Sequence, residues 1–152
     1  MKKPKFAFFK QKDAIDCGPS CLRMIANYYG MTYSLDSLTT LCSTSSEGTT
    51  VFGLGQAAES IGLKAMAVFV TYETLYKVPL PAIALWLHHH YIVIYSVKRN
   101  KVYVADPIKG LIMYTKNKFI EGWLNWDKSE KVQGMLLLLE PSPTSQNQRV
   151  FD

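Results

Sequence analysis

The chain has 152 residues, of which 48% are hydrophobic and 19% are charged, and this composition excludes an intrinsically disordered protein. Its formal net charge of +5 favours acidic partners, such as an acidic peptide, a nucleic acid or a lipid surface. No apolar run approaches the roughly 18 residues that a membrane span requires. Lysines also interrupt the apolar N-terminal stretch before a signal-peptide core can form. We therefore expect a soluble, cytoplasmic domain.

The first half of the chain has helical periodicity. Gly18-Pro19-Ser20 begins a helix that ends at Gly30, Ser34 can cap a second helix, and a third begins near Thr50 and ends at Gly62. Apolar, partly β-branched runs then predict strands over residues 65–70, 81–86, 90–97, 102–105, 111–114 and 135–139. Short helical segments are predicted over 71–76 and 119–124. Helices followed by an antiparallel sheet predict an α+β domain over residues 1–140, and the Pro-, Ser- and Gln-rich residues 141–152 predict a linker.

Cys17 is a candidate nucleophile because it directly precedes the Gly-Pro pair that begins the first helix. Unpaired N–H groups and the positive end of the helix dipole lower the pKa of a thiol at such a position. Position alone leaves an alternative open, in which Cys17 is a small buried hydrophobe like most free cysteines. Cys21 and Cys42 lie within helical patterns and are predicted to be buried. Three cysteines without an export signal favour free thiols over disulfides.

All three histidines occur together, at the start of the strand predicted over residues 90–97. Strand alternation places His90 on one face with Ile92 and Ile94, whereas His88 and His89 lie in the approach to the strand. Three consecutive side chains cannot converge on one ion from a strand, so we expect no metal and no cofactor.

Asp106 ends the strand that follows the His90 strand. A turn near Arg99 would bring residue 106 opposite residue 91 or 92, within reach of His90 as an acceptor that orients the imidazole. An aspartate before proline is also a common turn former, so this alternative stays open from the residues alone.

A family resemblance is carried by four features in a fixed order: Gln11, the run Asp16-Cys17-Gly18-Pro19-Ser20-Cys21, His90 before Tyr-Ile-Val, and Asp106 between Ala105 and Pro107. Together they resemble the C39 cysteine peptidases, which form the N-terminal domain of ABC transporters that mature bacteriocins and other leader-bearing peptides. The resemblance covers about residues 10–140, and the order Gln, Cys, His, Asp is far more specific than any one member. It implies a papain-like fold with N-terminal helices packed on an antiparallel sheet.

The resemblance also implies the activity, a cysteine endopeptidase that removes a leader by cutting after Gly-Gly or Gly-Ala. Cys17 would be the nucleophile, His90 the general base and acid, and Asp106 the residue that orients His90. Gln11 would donate to the oxyanion. The implied partners are a leader peptide and the transmembrane and ATPase domains of a transporter, at the cytoplasmic face of the bacterial membrane. No recognition motif accompanies the basic residues, so we expect no nucleic-acid partner.

Substrate-binding residues are also suggested. A cleft too narrow for a Cβ would explain a double-glycine requirement, and Trp86 is the candidate wall, with a core position as the alternative. The resemblance implies an amphipathic leader helix bound in an apolar groove away from Cys17. Candidate groove residues are Tyr28, Tyr29, Met66 and Phe69, for which burial in the core is the favoured alternative. Two other functions stay open: a papain-like amide hydrolase of different specificity, and a non-catalytic leader-docking domain.

Overall fold

Three helices come first in the chain. The computed structural model describes residues 6–11, 13, 15–124 and 132–142, and its first helices are α1 (Cys17–Tyr28), α2 (Leu35–Leu41) and α3 (Val51–Ser60). The hydroxyl of Ser34 accepts the Ser37 N–H at 3.1 Å, and the hydroxyl of Thr50 accepts the Gly53 N–H at 2.9 Å. These bonds satisfy donors that a helix start leaves unpaired. All three predicted helices are therefore confirmed, with the predicted cap at Ser34 and a further cap at Thr50.

Six strands form one antiparallel sheet in the order β1-β6-β2-β3-β4-β5. Their bounds are β1 (Leu63–Val70), β2 (Ala82–Trp86), β3 (His90–Lys98), β4 (Lys101–Asp106), β5 (Gly110–Thr115) and β6 (Gly134–Pro141). A 3₁₀ helix (Tyr72–Tyr76) connects β1 to β2, and α4 (Lys116–Trp123) follows β5. The predicted strands and short helices are present. The insertion of β6 between β1 and β2 has no signal in the sequence.

The two faces of the sheet bury separate cores. On one face, Tyr91 and Val93 of β3 pack in a cluster with α1 and α3, and on the other Ile92 and Ile94 pack with α4 and the 3₁₀ helix. This is the alternation predicted for β3, and it leaves little freedom for the strand to slip. The central strands are therefore fixed in register from both sides.

The β3–β4 pairing determines which residues meet at the end of the sheet. Val93 lies opposite Ala105, so the continuing register places Asp106 opposite Ile92, as predicted. His90 and Asp106 therefore lie at the same end of the sheet, close to the start of α1.

The C-terminal end of the described chain is packed against the domain. Pro141 is the last residue of β6, and the Ser142 N–H donates to the Gly62 carbonyl at 2.9 Å. The rest of the predicted linker, residues 143–152, lies outside the described residues. None of the helices that the structure describes has both the length and the apolar character needed to cross a membrane.

Candidate active site

Cys17 is the first residue of α1, and it is only 7% exposed. Its burial on its own would raise the pKa of the thiol. The side chain of His90, the backbone N–H groups of Tyr91 and Gly18, and the charge of His90 together lower that pKa below its ordinary value of 9.0. Groups from α1 and β3 thus stabilise the thiolate form of Cys17.

His90 is held between the Cys17 sulfur and the Asp106 carboxylate. The distance from His90 Nε2 to Asp106 Oδ1 is 2.9 Å, and the two side chains are 12% and 3% exposed. Burial would lower the pKa of the imidazole, but the hydrogen bonds to Asp106 and Cys17 and the charges of both raise it to about 9. Since Nε2 is engaged by Asp106, Nδ1 is the ring nitrogen left for the thiol. The arrangement stabilises thiolate and imidazolium together.

Asp106 is held by the loop that follows it as well as by His90. Its Oδ1 accepts the N–H groups of Ile108 at 2.9 Å and Lys109 at 3.3 Å. Burial works to raise the pKa of the carboxyl, whereas the hydrogen bonds from His90 and the two amides and the His90 charge bring it below its ordinary value. One carboxylate thus accepts hydrogen bonds within the turn and lies against His90, the two contacts that the sequence interpretations of Asp106 require.

Gln11 is buried beside the same loop, where its N–H donates to the Pro107 carbonyl at 3.0 Å. Its side-chain Nε2 donates to the Asp13 carbonyl at 2.7 Å. The Asp13 N–H in turn donates to the carboxylate of Asp16 at 3.0 Å. Gln11 is thus held between the Asp106 loop and the segment that leads into Cys17.

A cleft of about 320 Å³ opens beside Cys17. Its lining consists of Cys17, Trp86, Leu87, His89, His90, Asp106, Ile108 and Lys109. Trp86 is 5% exposed and packs on Phe119 with ring centroids 5.5 Å apart, so it is a core residue that also lines the cleft. Leu87 and Ile108 are exposed walls that the sequence did not single out, since their meeting depends on two separate turns.

An apolar groove of about 860 Å³ lies between α3 and β1. It is lined by Leu41, Val51, Phe52, Gly55, Gln56, Glu59, Ser60, Ala65, Ala67 and Leu137. Phe52 is 73% exposed, which is unusual for a phenylalanine on a helix whose other face is buried. In the sequence, Phe52 falls outside the buried stripe that Leu54, Ala57 and Ala58 form on α3. This position of a large apolar residue is the signal from which the groove could have been predicted.

The predicted groove residues do not come together. Tyr28 lines a separate depression, and Tyr29 is half-buried with its ring against Tyr28. Met66 and Phe69 lie on opposite faces of β1 and are 52% and 60% exposed, so the core interpretation of these two is wrong. The reason is that β1 is an edge strand, which has a neighbouring strand, β6, on one side only.

The remaining histidines and cysteines are not part of the Cys17–His90–Asp106 contact. His88 and His89 are exposed, and His89 Nδ1 lies 2.7 Å from the Leu87 carbonyl oxygen. Cys21 and Cys42 are buried free thiols, as predicted, and burial raises the pKa of both, that of Cys42 to about 12. Within the described ranges, no three histidine, cysteine or acidic side chains are placed to hold a metal ion.

Comparison with known proteins gives consistent matches. The model of the Peptidase C39 family matches residues 5–142. The chain is 36% identical to the lactococcin-G-processing and transport ATP-binding protein LagD of Lactococcus lactis subsp. lactis, over 74% of this chain and 17% of LagD. It is 33% identical to the transport/processing ATP-binding protein ComA of Streptococcus pneumoniae, over 94% of this chain and 20% of ComA. The chain therefore spans about a fifth of the length of these relatives.

A solved structure supports the same assignment. The crystal structure of a double glycine motif protease from an AMS/PCAT transporter, in complex with the leader peptide, matches with a TM-score of 0.81 and 26% identity. The match covers 91% of this chain and 93% of that protease. The predicted papain-like α+β fold is confirmed. The chain belongs to the C39 family of cysteine peptidases.

Proposed function

We propose that this chain is the peptidase domain of a peptide-exporting ABC transporter and removes the leader of a ribosomally made precursor after Gly-Gly or Gly-Ala. The observation that carries the proposal is the contact series Cys17–His90–Asp106 at the start of α1, in a chain of the C39 family. Its partners would be the leader peptide and the transmembrane and ATPase domains of the transporter. It would act at the cytoplasmic face of the membrane.

The reaction is acyl transfer in two steps. The Cys17 thiolate attacks the carbonyl carbon of the second glycine, and the carbonyl oxygen becomes an oxyanion. The His90 imidazolium then protonates the leaving amine as the C–N bond breaks, which leaves the leader as a thioester on Cys17. A water molecule, deprotonated by His90, releases the leader acid. Asp106 holds the imidazole orientation and stabilises its positive charge throughout.

The oxyanion needs donors on the Cys17 side of the cleft. The Cys17 N–H and one N–H of the Gln11 amide supply them in this proposal. Support comes from the burial of Gln11 and from its contacts with the Asp106 loop and the segment before Cys17. Loss of one such donor costs about 2.7–4 kcal/mol of transition-state stabilisation.

In this proposal, the double-glycine preference arises because the side chains that line the cleft leave little room for side-chain atoms on the substrate. Trp86 is fixed behind the cleft by Phe119 and by Gly122, where an added Cβ would lie 2.3 Å from the indole ring. Leu87 and Ile108 stand on the two turns that flank the cleft. A β-branched residue in place of either glycine would have to displace packed atoms.

The groove between α3 and β1 is the site that we assign to the upstream part of the leader. Its apolar lining and the exposed Phe52 ring suit the apolar face of an amphipathic helix, with side chains spaced i, i+3, i+4 and i+7. Contacts made there lie away from the bond that is cut. Truncation of this part of the leader should therefore raise KM before it lowers kcat.

The deciding experiment is mass spectrometry of a synthetic Gly-Gly precursor after incubation with the domain. Cys17→Ala should abolish cleavage yet retain leader binding, whereas Cys21→Ala should remain active, since Cys21 is a fully buried thiol. His90→Ala should be nearly inactive, and His89→Ala mildly affected.

Three outcomes would contradict the proposal. Cleavage by Cys17→Ala at a substantial fraction of the wild-type rate would remove Cys17 as the nucleophile. Similar rates on precursors with Val at either glycine would indicate a papain-like hydrolase of broader specificity. Leader binding by the wild-type domain without any cleavage would indicate the docking alternative.

A further inference from the structure

The end of the sheet opposite Cys17 carries a group of basic residues, here called the basic pole: Lys77, Lys98, Arg99, Lys101 and Lys116. β3 runs from His90 at the cleft to Lys98 at this end. Two hydrogen bonds bring the three segments together, because the Asn100 N–H donates to the Tyr76 hydroxyl at 3.1 Å and the Lys116 N–H donates to the Asn100 carbonyl at 2.8 Å. The fold thus gathers charges that lie far apart in the sequence.

These charges are not neutralised within the part of the chain that the structure describes. No described carboxylate lies within 4.0 Å of any of the five cationic groups. Lys98 and Lys101 are direct cross-strand partners, and like charges in that relation destabilise a sheet. Because no described carboxylate offsets the repulsion between Lys98 and Lys101, an anionic partner outside the chain is the natural source of that compensation.

We infer that the basic pole binds the surface of an anionic lipid bilayer. The pole consists of a hairpin turn and two helix ends at one end of the sheet. Charges distributed over several segments suit the diffuse array of headgroups on a bilayer surface. Tyr76, 47% exposed beside Lys77, adds an aromatic ring of the kind found at membrane–water interfaces. The inference rests on the proposed function in that a transporter domain lies next to a bilayer. With the pole on the bilayer, the cleft at the other end of β3 stays open to solution.

The test is co-sedimentation with phosphatidylglycerol-containing vesicles and with pure phosphatidylcholine vesicles at about 0.1 M salt. Each cationic residue near an anionic surface contributes about fivefold in partition coefficient. Lys98→Gln/Arg99→Gln should therefore bind the anionic vesicles roughly 25-fold more weakly. The control Lys10→Gln/Lys64→Gln removes the same charge from exposed positions outside the pole, and it should lose less than about threefold.

Equal losses in the two variants, or equal binding of wild type to both kinds of vesicle, would overturn the inference. Tighter binding of the wild-type pole to single-stranded RNA than to anionic vesicles would also overturn it. Cleavage of a soluble precursor should be unchanged in the pole variant, so failure of lipid binding and failure of the proposed peptidase activity give different results.

A second, independent observation concerns Asp16. It occupies the N-cap position of α1, yet its side chain makes no capping bond to the described N–H groups of the helix. Its Oδ2 instead accepts the Asp13 N–H at 3.0 Å, and the Asp16 N–H donates to the Asp13 carbonyl at 3.1 Å. The same carbonyl accepts Gln11 Nε2 at 2.7 Å. Asp16 is 6% exposed.

We propose that Asp16 is a positioning residue for the Gln11 amide, an assignment that rests on the proposed oxyanion role of Gln11. A capping carboxylate would occupy N–H groups at the start of α1 and bring negative charge towards the Cys17 oxyanion site. The Asp16 carboxylate instead bonds to the Asp13 N–H and so fixes the position of the Asp13 carbonyl. That carbonyl accepts one N–H of the Gln11 amide, and the second N–H of the amide is then available to the oxyanion.

A double-mutant cycle tests this assignment. Asp16→Ala should lower kcat about 10- to 100-fold with little change in KM, and Asp16→Asn, which keeps an oxygen acceptor, should restore most of the loss. In a Gln11→Ala background, Asp16→Ala should cost little more. Alkylation of Cys17 by iodoacetamide should stay at the wild-type rate, because the thiolate does not depend on Gln11.

Additive losses in the cycle, or alkylation that falls in parallel with activity, would overturn the positioning role. An unchanged kcat for Gln11→Ala would overturn the oxyanion role itself, and the positioning role with it.

Discussion

The His90–Asp106 pair predicts how activity depends on pH. In the proposed mechanism the active form holds Cys17 as thiolate and His90 as imidazolium. Activity should therefore fall at low pH as the thiol is protonated, and at high pH as the imidazolium loses its proton. With the pKa of His90 raised from 6.5 to about 9, the alkaline limb of kcat/KM should lie near pH 9. Asp106→Asn removes the charge 2.9 Å from Nε2 and should move this limb.

The magnitude follows from the geometry. A pKa raised from 6.5 to about 9 corresponds to roughly 3 kcal/mol in favour of the charged imidazole, shared between Asp106 and Cys17. A neighbouring opposite charge accounts for about 1–3 pH units, so the limb in Asp106→Asn should fall from near pH 9 to roughly pH 6–8. The raised pKa of His90 contributes stability that is fully present below about pH 6.5, as long as Asp106 is ionised, and that is lost as pH rises through about 9. The variant's thermal stability should accordingly depend less on pH across that window.

The assay is hydrolysis of an internally quenched Gly-Gly precursor between pH 5 and pH 11, with the rate of iodoacetamide alkylation of Cys17 measured in parallel. Asp36→Asn is the control, because it removes the same charge from an exposed position on α2. Its alkaline limb should coincide with that of the wild type. An Asp106→Asn enzyme whose limb also stays near pH 9 would refute the role of the carboxylate in holding the imidazolium.

Two further substitutions test the cleft wall and the groove. Gly122→Ala would place a Cβ 2.3 Å from the Trp86 ring and should lower the free energy of unfolding by about 1–3 kcal/mol, measured by denaturant titration. The control Gly55→Ala meets its nearest neighbour at 3.8 Å and should not destabilise. Phe52→Ala should raise KM for a full-length leader several-fold with kcat preserved. Met113→Ala, which removes a side chain that is also exposed but outside the groove, should leave KM unchanged.

Much of the architecture follows from local sequence signals. The cap at Ser34, the helix start near Thr50, the glycines that end helices and the alternation of β3 each act over a few residues, and each predicted its element correctly. The position of β6 between β1 and β2 depends on contacts between segments about 50 to 80 residues apart. No local pattern encodes such a pairing, so the sheet order could not be predicted.

The candidate site also contains one part that the sequence could predict and one part that depends on how distant elements pack. The sequence could predict that Cys17, His90 and Asp106 meet, because few residue types and neighbouring residues fit those positions. An exposed apolar surface depends instead on which other elements leave it uncovered. Met66 and Phe69 fit a buried strand by their sequence pattern, yet β1 lies at the edge of the sheet and both are exposed. The groove beside Phe52 likewise exists only once α3 has packed on β1.

The meeting of His90 and Asp106 depends on a β-bulge that the turn alone would not suggest. At the turn end of the hairpin, Lys98 pairs with Lys101, a register that would place Asp106 opposite Val93. Val93 faces the α1 side of the sheet, the opposite face from His90, and a slip of one residue exchanges the faces. The irregularity between Ile94 and Ser96 adds one residue to β3, so that Asp106 continues opposite Ile92, on the face of His90. One extra residue in β3 therefore shifts the register that the two-residue turn sets, and the shifted register places Asp106 on the same face of the sheet as the His90 imidazole.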